Sequence, residues 1–487
     1  MTFLETLDQW ATVDVDGKSF DERFMFHGIP LSWFVEKLFY PESVPLLINP
    51  YPRLKSGKSL GVYSLVHSVM RVVLQKALVR RELRKFRRHR AHVRARSNVM
   101  FLAFSNQLKD GNISRIQSVV DLLKPFVVYV DPLSRNEHRK LAGLPTLYSY
   151  ATEEMISEAR VEAGVLHDQL NDFDAHIAFG DHWEHLKHLY AFYFSEDFLF
   201  LLALYFKTSV SLLTSEKIKC VVLTSPHSLF ERCMIAAAHK QHASILVLQH
   251  GMGLANRPLH DPYSNYAVFG EFHKTRLMLQ GIKKERIFVV GPMVYQGVEH
   301  FVGVKKKRKI LLTTQALIEV GLISRKYYFR YLEHVLDALA LIPDVVIEIK
   351  LHPREIYVRD YERLLRKYSN VVLHPGTANL YKVMSDAGVM INFYGSSTIL
   401  EASILDVPSV TVEFPRLTQQ YFAEYDPSVR VAYDDVRTVV IEALEKPAAS
   451  RKKRKKLVED WCSTVDGQAH VRVAEIVRGL VDSNSKK

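Results

Sequence analysis

Val345–Pro353 (VVIEIKLHP) and Val389–Ala402 (VMINFYGSSTILEA) decide the fold. Each begins as a short unbroken apolar run rich in Val and Ile and ends in polar residues with a proline or glycine. A run without alternation is the pattern of a strand buried on both faces of a parallel sheet. Working outward, Ile310–Thr313, Val371–Leu373 and Ser409–Glu413 repeat the pattern, with the last expected as the final strand. Helical spacing predicts helices at Lys326–Ala340, Asp360–Tyr368, Leu380–Asp386 and Ser396–Leu405. Upstream, the same alternation places strands at Val99–Phe104, Pro125–Val130, Cys220–Leu223, Ile245–Leu248, Tyr266–Phe269 and Ile287–Val290. Helices are expected at Ser114–Leu123, Glu231–His239 and Lys274–Gln280. Strands alternating with helices imply βαβ units and parallel sheets.

The expected architecture is therefore α/β, with two Rossmann-like domains facing a cleft and an N-terminal helical extension. The expected boundaries are an extension at 1–96, a first domain at 97–304, a second at 305–425 and a C-terminal helical tail at 426–487. Within the extension, the aromatic-rich Phe24–Tyr40 is expected to dock on the body. A length of 487 residues suits several domains, and 48% hydrophobic content excludes a disordered chain. Cys220, Cys233 and Cys462 are too scattered for a disulfide framework or zinc site and read as reduced thiols of a cytoplasmic protein. No signal peptide is expected from the acidic start, Met1–Trp10. Phe198–Phe206, the most apolar segment, falls well short of the roughly 20 residues of a bilayer span and reads as a buried helix.

The net charge of +12 is concentrated. Lys76–Arg96 carries +9, Lys305–Lys309 +5 and Lys446–Lys456 +7, which leaves −9 for everything else. The first patch continues a segment in which Val62, Leu65, Val66, Val69, Val72, Val73, Leu83 and Phe86 recur at helical spacing. With Arg80, Arg81, Arg84, Lys85, Arg87, Arg88 and Arg90 beside it, this stripe suits a helix lying on an anionic membrane surface, and equally a solvated basic helix. No recognition motif accompanies it, so nucleic acid is not the expected partner. The Lys305–Lys309 run reads as an exposed interdomain linker. The Lys446–Lys456 run is a second membrane contact or a solvated helix face.

Several motifs fail on their chemistry. Gly57-Lys58-Ser59 ends like a P-loop, but Pro52 stands where the motif needs glycine. His182, His185 and His188 lack an HExxH pattern and do not share one helix face, so no metal site is expected. Three loops at strand ends are better placed, because ligands in open α/β sheets bind beyond the carboxyl ends of strands. In Leu248-Gln249-His250-Gly251, His250 can accept a proton from a hydroxyl near neutral pH, or simply pack in the turn. In Lys350-Leu351-His352-Pro353, the proline biases His352 to an extended backbone, and imidazole and ammonium donors suit a phosphate. In Gly395-Ser396-Ser397-Thr398, hydroxyls at a helix start either meet a phosphate or cap the helix. Glu401, a turn further on, can reach a ribose hydroxyl.

Taken together, QHG after one strand, HP after another, and SST-x-x-EA before Asp406-Val407-Pro408-Ser409-Val410 resemble the GT-B-fold transferases of bacterial and archaeal surface polymers. These are the capsule Kdo transferases, the polysialyltransferases and the teichoic-acid glycerophosphate polymerases. Phe269–Pro292 is similar to the corresponding region of that group, and the likeness covers roughly 220–415. The resemblance implies that His250 is the base, that His352 contacts the donor phosphate or acts as acid, and that Ser396 and Ser397 bind the nucleotide phosphate. Lys350, Thr398 and Glu401 complete the expected nucleotide site. The polymerases' Asp-Tyr-Ser-Ser is Phe393-Tyr394-Gly395-Ser396 here, and the sialyltransferases' acidic motif survives only as Lys109-Asp110-Gly111, which makes Asp110 an alternative base.

The expected function is a metal-independent glycosyltransferase with no cofactor, taking a nucleotide-activated sugar as donor. Its expected acceptor is a surface polysaccharide or lipid-linked glycan at the inner face of the cytoplasmic membrane. A CDP-polyol phosphotransferase, a UDP-sugar 2-epimerase and a non-catalytic glycan-binding scaffold are the alternatives. Sugar, nucleotide base, linkage and oligomeric state are not legible in the residues.

Overall fold

A computed structural model describes residues 12, 14–15, 17–34, 76–87, 94–104, 117–130, 144–173, 193–226, 228–249, 261–319, 322–393, 396–413 and 428–485. The first sheet contains β1 (Val99–Phe104), β2 (Phe126–Val130), β3 (Cys220–Leu223), β4 (Ser244–Leu248), β5 (Asn265–Val268) and β6 (Ile287–Val289), in the order β6-β5-β4-β3-β1-β2. The second contains β7 (Lys309–Thr313), β8 (Val346–Lys350), β9 (Val371–His374), β10 (Val389–Phe393), β11 (Ser409–Val412) and β12 (Val429–Val431), in the order β9-β8-β7-β10-β11-β12. Every neighbouring pair in both sheets is parallel. The second order is that of a dinucleotide-type sheet, which reverses direction between β7 and β10; the first reverses between β1 and β3. The fold is thus α/β with two Rossmann-like sheets, as expected. Strands β3, β7, β10 and β11 are buried along their whole length, which is why they are mostly apolar and do not alternate with exposed polar residues.

In the first half, α1 (Gln117–Leu123), α2 (Glu153–Asn171), α3 (Glu196–Ser215), α4 (Leu229–Lys240) and α5 (Glu271–Leu279) surround the sheet. The Ser195 hydroxyl accepts the Phe198 N–H at the start of α3, and Glu196 and Asp197 complement its positive end. By length and composition α3 could cross a membrane, but Phe198–Phe206 is at most 3% exposed inside the first core. Phe20, Phe24, Phe26, Trp33 and Phe34 join that same core, so the aromatic segment docks as expected as far as Phe34. His27 stacks on Phe206 with ring centroids 4.3 Å apart and meets Glu162 at 2.9 Å.

The basic patches need correcting. Residues 76–87 are helical, but Val79, Leu83 and Phe86 are buried in the first core and so are not a face for lipid. Glu82 and Lys85 are buried with them. The Lys85 ammonium lies 2.9 Å from Glu82, and the Tyr205 hydroxyl donates to Glu82 at 2.6 Å. Burial raises the Glu82 carboxyl above its ordinary value, against the pull of Lys85. Arg80, Arg84 and Arg87 remain exposed as a charged stripe without an apolar edge. Residues Val62–Val73 lie outside the described residues. Lys305–Lys309 is not an exposed linker, because two of its lysines are tied into the second half. Lys309 opens β7, is 6% exposed, and donates to Val383 O at 2.8 Å and Glu348 at 3.2 Å. Lys306 donates to Ser385 O and Leu405 O at 2.6 and 2.7 Å.

The second half carries α6 (Arg325–Ala340), α7 (Val358–Leu365), α8 (Leu380–Met384), α9 (Thr398–Ile404) and α10 (Val436–Glu445). Residues 426–487 are not simply a helical tail. They supply β12, then α11 (Arg451–Cys462) and α12 (Ala469–Ser485), which return to the first half. Arg454, from the third basic patch, is 2% exposed and paired with Asp406 at 2.6 Å. On α12, Ala469, Val473 and Val477 pack with Val99, Phe101, Cys220 and Leu246 of the first sheet. The end of α11 meets α5 so closely that a Cβ on Gly270 would lie 2.6 Å from the Trp461 carbonyl, and Phe272 stacks on Trp461 at 4.3 Å. The chain crosses between the halves twice, from β6 to β7 and from α11 to α12, and Arg472 bridges both crossings. It donates to Val290 O at 2.8 Å and grips Asp466 at 2.8 and 2.9 Å, which holds that carboxyl well below the usual range.

Gly291 and Gly281 both have φ of +85°, but a Cβ on Gly291 would lie 2.8 Å from Thr464 O, whereas no described atom lies within 4 Å at Gly281. Alanine at Gly281 is therefore expected to cost only the left-handed strain of about 1–2 kcal/mol. Alanine at Gly291 should cost clearly more, because a carbonyl of the second crossing must also move. Urea unfolding of the two variants beside the parent measures the difference.

Candidate functional site

The second sheet reverses between β7 and β10, and β8 lies on the other side of β7. The register pairs Thr313 with both Lys350 and Asn392, so three loops leave the sheet side by side. Each loop contributes polar groups. From β7, the Thr313 hydroxyl donates to Ile391 O at 3.3 Å and lies 3.4 Å from the Thr398 hydroxyl. The Gln315 amide donates to Phe393 O at 2.6 Å, fastening the β7 loop to the end of β10.

The loop after β8 is held by side-chain and backbone hydrogen bonds. The His352 N–H is shared between the Thr314 hydroxyl oxygen at 2.9 Å and Glu355 Oε2 at 2.7 Å. Glu355 also accepts from the Thr314 and Tyr361 hydroxyls, and the Tyr361 and Tyr328 hydroxyls are 2.9 Å apart. Gly376 closes the loop from beneath, since a Cβ there would lie 2.9 Å from Pro353 Cα. The imidazole is oriented too: the Arg354 N–H donates to His352 Nδ1 at 3.1 Å. A ring nitrogen that accepts carries no proton, so the proton sits on Nε2 and the half-exposed ring presents a donor.

Lys350 does not present its ammonium to a phosphate as expected. It is 6% exposed and donates to Leu351 O and Gly376 O at 2.7 and 2.8 Å, and burial pushes it down to about 8. Its work is to hold the loop carbonyls. One residue before the N-cap of α9, the Ser396 hydroxyl accepts the Thr398 N–H at 3.3 Å, which commits its oxygen to the turn entering the helix. Ser397 makes no side-chain cap bond among the described residues, and the Thr398 hydroxyl lies 3.4 Å from that of Thr313. Glu401 is 8% exposed and lies beside α11, where its charge, after burial, adds to the raising of the Cys462 thiol. That position points to the α11 junction and not to a ribose at the sheet edge.

On the first sheet, Gln249 follows β4 and is fully buried, and its Oε1 accepts the Phe269 N–H at 2.8 Å. This bond ties the end of β4 to the end of β5 and fixes where the chain departs toward His250. His250 itself, Asp110, the Gly57–Ser59 motif and the three histidines 182, 185 and 188 lie outside the described residues. Phe269 shares one apolar cluster with Ile399, Leu400 and Trp461, so the carboxyl edge of the first sheet adjoins α9 at the edge of the second. Sequence reasoning missed Thr313, Thr314, Gln315 and Glu355. The polar Thr-Thr-Gln directly after a buried strand, and the glutamate three residues beyond His352, were the signals available.

No protein-family model matches this chain, and no curated protein is similar to it in sequence. Among solved structures, it is similar to UDP-GlcNAc 2-epimerase from Neisseria meningitidis bound to UDP-GlcNAc, at 14% identity and TM-score 0.46 over 78% of this chain and 99% of that one. It is also similar to the glycosyltransferase of kitacinnamycin, at 12% identity and TM-score 0.44 over 78% and 98%. A glycosyltransferase from Rickettsia africae gives 9% identity and TM-score 0.41 over 79% and 99%. The chemistry of this chain has to come from its own residues.

Burial pushes the Glu355 carboxyl up to about 7, against the hydrogen bonds from Thr314, Tyr361 and the His352 N–H. A carboxyl raised on folding holds its proton longer in the folded state. Its contribution to stability is therefore fully present below the unfolded value of about 4.5 and is lost as pH rises through about 7. Glu355→Gln should flatten that fall, which urea unfolding at pH 4.5, 6 and 8 would show as the parent losing stability relative to the variant at each step up in pH.

Proposed function

We propose that the protein is a glycosyltransferase that moves a sugar from a nucleotide-activated donor to a surface polysaccharide or lipid-linked acceptor. The observation that carries this reading is the bond from the Arg354 N–H to His352 Nδ1, in the loop after β8, one strand from the point where the second sheet reverses. On this reading the Nε2–H of His352, at the end of β8, and the hydroxyls at the start of α9, after β10, are the donors for the phosphate that departs with the nucleotide. In the proposed reaction the acceptor hydroxyl loses its proton to His250, which follows the β4 edge, with Asp110 as the alternative base. The acceptor oxygen attacks the anomeric carbon, the bond to the nucleotide phosphate breaks, and His352 stabilises the charge that develops there. Lys350 supports the loop from below and does not touch the phosphate.

On this reading the acceptor is brought by a membrane. The exposed Arg80, Arg84 and Arg87 would meet anionic headgroups by charge alone, each worth about 1 kcal/mol near such a surface. Because the apolar residues of that helix are buried, the contact would be peripheral and weakened by salt.

Thermal-shift measurement with CMP, CDP, UDP and GDP should single out one nucleotide. Transfer from the matching donor should then fall roughly 100- to 1,000-fold in His352→Ala, the usual loss of one phosphate-stabilising donor. Product linkage analysis separates sugar transfer from phosphodiester formation, and turnover without any acceptor would indicate an epimerase. Full rates in both His250→Ala and His352→Ala would sink the assignment. Replacing Arg80, Arg84 and Arg87 with glutamine should abolish flotation with anionic vesicles; unchanged flotation would refute the membrane contact.

A further inference from the structure

We infer that Glu355 is the positioning residue that sets the tautomer and orientation of His352. The inference rests on the proposed function only for what His352 does in the reaction. The geometry is local. Within the four-residue turn His352-Pro353-Arg354-Glu355, the carboxylate accepts the His352 N–H at 2.7 Å, while the Glu355 N–H donates back to His352 O at 3.0 Å. The peptide of His352 is thus bonded to Glu355 at both ends. The turn so formed is what brings the Arg354 N–H against Nδ1 at 3.1 Å, and that bond keeps the proton on Nε2.

The other partners of Glu355 show what the clamp is fastened to. The Thr314 hydroxyl donates to it from the end of β7, and the Tyr361 hydroxyl donates from α7, with Tyr328 of α6 behind. Three elements converge on one carboxylate: the first strand of the sheet, the helix after the loop, and the loop itself. Thr314 also binds the same His352 N–H at 2.9 Å, so strand, glutamate and histidine form a closed ring of hydrogen bonds. Proline at 353 lacks an N–H and cannot compete for the carboxylate. Loss of the carboxylate therefore removes the side-chain bond that folds the turn at the His352 N–H. Glutamine keeps an oxygen for the His352 N–H, and an alanine does not.

The deciding experiment reads the imidazole directly and uses no substrate. Long-range proton–nitrogen NMR spectra of the full-length protein labelled at histidine, with the His352 signal assigned by its loss in His352→Gln, report the tautomer. The parent should show a single neutral form protonated on Nε2. Glu355→Gln should keep it, while Glu355→Ala, checked for an unchanged melting curve, should give a mixture of tautomers. A Glu355→Ala spectrum identical to the parent overturns the inference. If alanine does not fold, a Glu355→Gln signal shifted to the Nδ1-protonated form also overturns it, and an unshifted signal beside a Thr314→Val control that is likewise unshifted supports it. Where a donor is in hand, Glu355→Ala should lower kcat about 10-fold or more with nucleotide affinity changed less than 3-fold. Absence of any nucleotide binding would count against the proposed function while leaving the NMR result standing.

Discussion

The relation between the two sheets hangs on the meeting of α11 with α5. Gly270 lets the Trp461 carbonyl come to a distance that any side chain would block, and the Trp461 ring then lies flat on Phe272 at 4.3 Å with 9° between planes. Such a stack contributes about 1 kcal/mol beyond the area it buries. Its larger effect is geometric. His273, the next residue, is fully buried edge-on to Trp461, and burial pushes its imidazole down to about 3, so it stays neutral within an apolar contact. With Phe269 on one side and Leu400 on the other, this junction sets the carboxyl edge of one sheet beside that of its neighbour. Arg472 and Asp466 perform a related task at the crossings, where two separate chain segments pass.

Much of this was legible in the sequence, and the reason is the parallel sheet. A strand buried on both faces needs no alternation, so VVIEIK and VMINF announce themselves as short apolar runs between helices. Strand β12 escaped because its three residues, Val429–Val431, include an arginine and leave Val429 exposed. The lysines at 306 and 309 escaped for a different reason. A run of five basic residues looks solvated, and nothing local reveals that Glu348 and Asp386 lie 39 and 77 positions downstream of Lys309. Val79, Leu83 and Phe86 look alike whether the helix faces lipid or the protein's own core, because amphipathic spacing specifies an apolar partner and not its identity.

The site was legible to the same degree. Strand ends mark where ligands bind, so His352 and the serine loop could be located from topology alone. What each group does there depends on hydrogen bonds between loops that are distant in sequence. Lys350 has the charge for a phosphate, but two carbonyls, one of them 26 residues away, claim its ammonium. Ser396 and Ser397 read as a matched pair, yet the first spends its hydroxyl oxygen on a backbone N–H. Glu355 carried no signal of its own in the sequence, because its partners come from separate elements.

The His352 tautomer constrains the rest of the chemistry. A ring whose Nδ1 accepts a backbone N–H and whose Nε2 carries the proton can donate outward but cannot take a proton at that position. Transfer to a hydroxyl acceptor requires a base as well as a donor to the leaving phosphate, and one imidazole held this way supplies only the second. On the proposed reading the base must therefore come from another part of the molecule. At the end of β4 the Gln249 side chain accepts the Phe269 N–H, and on the proposed reading the base is the next residue in sequence, His250. Donor and base on opposite sheets would make catalysis depend on how the halves meet, and hence on the close approach at Gly270.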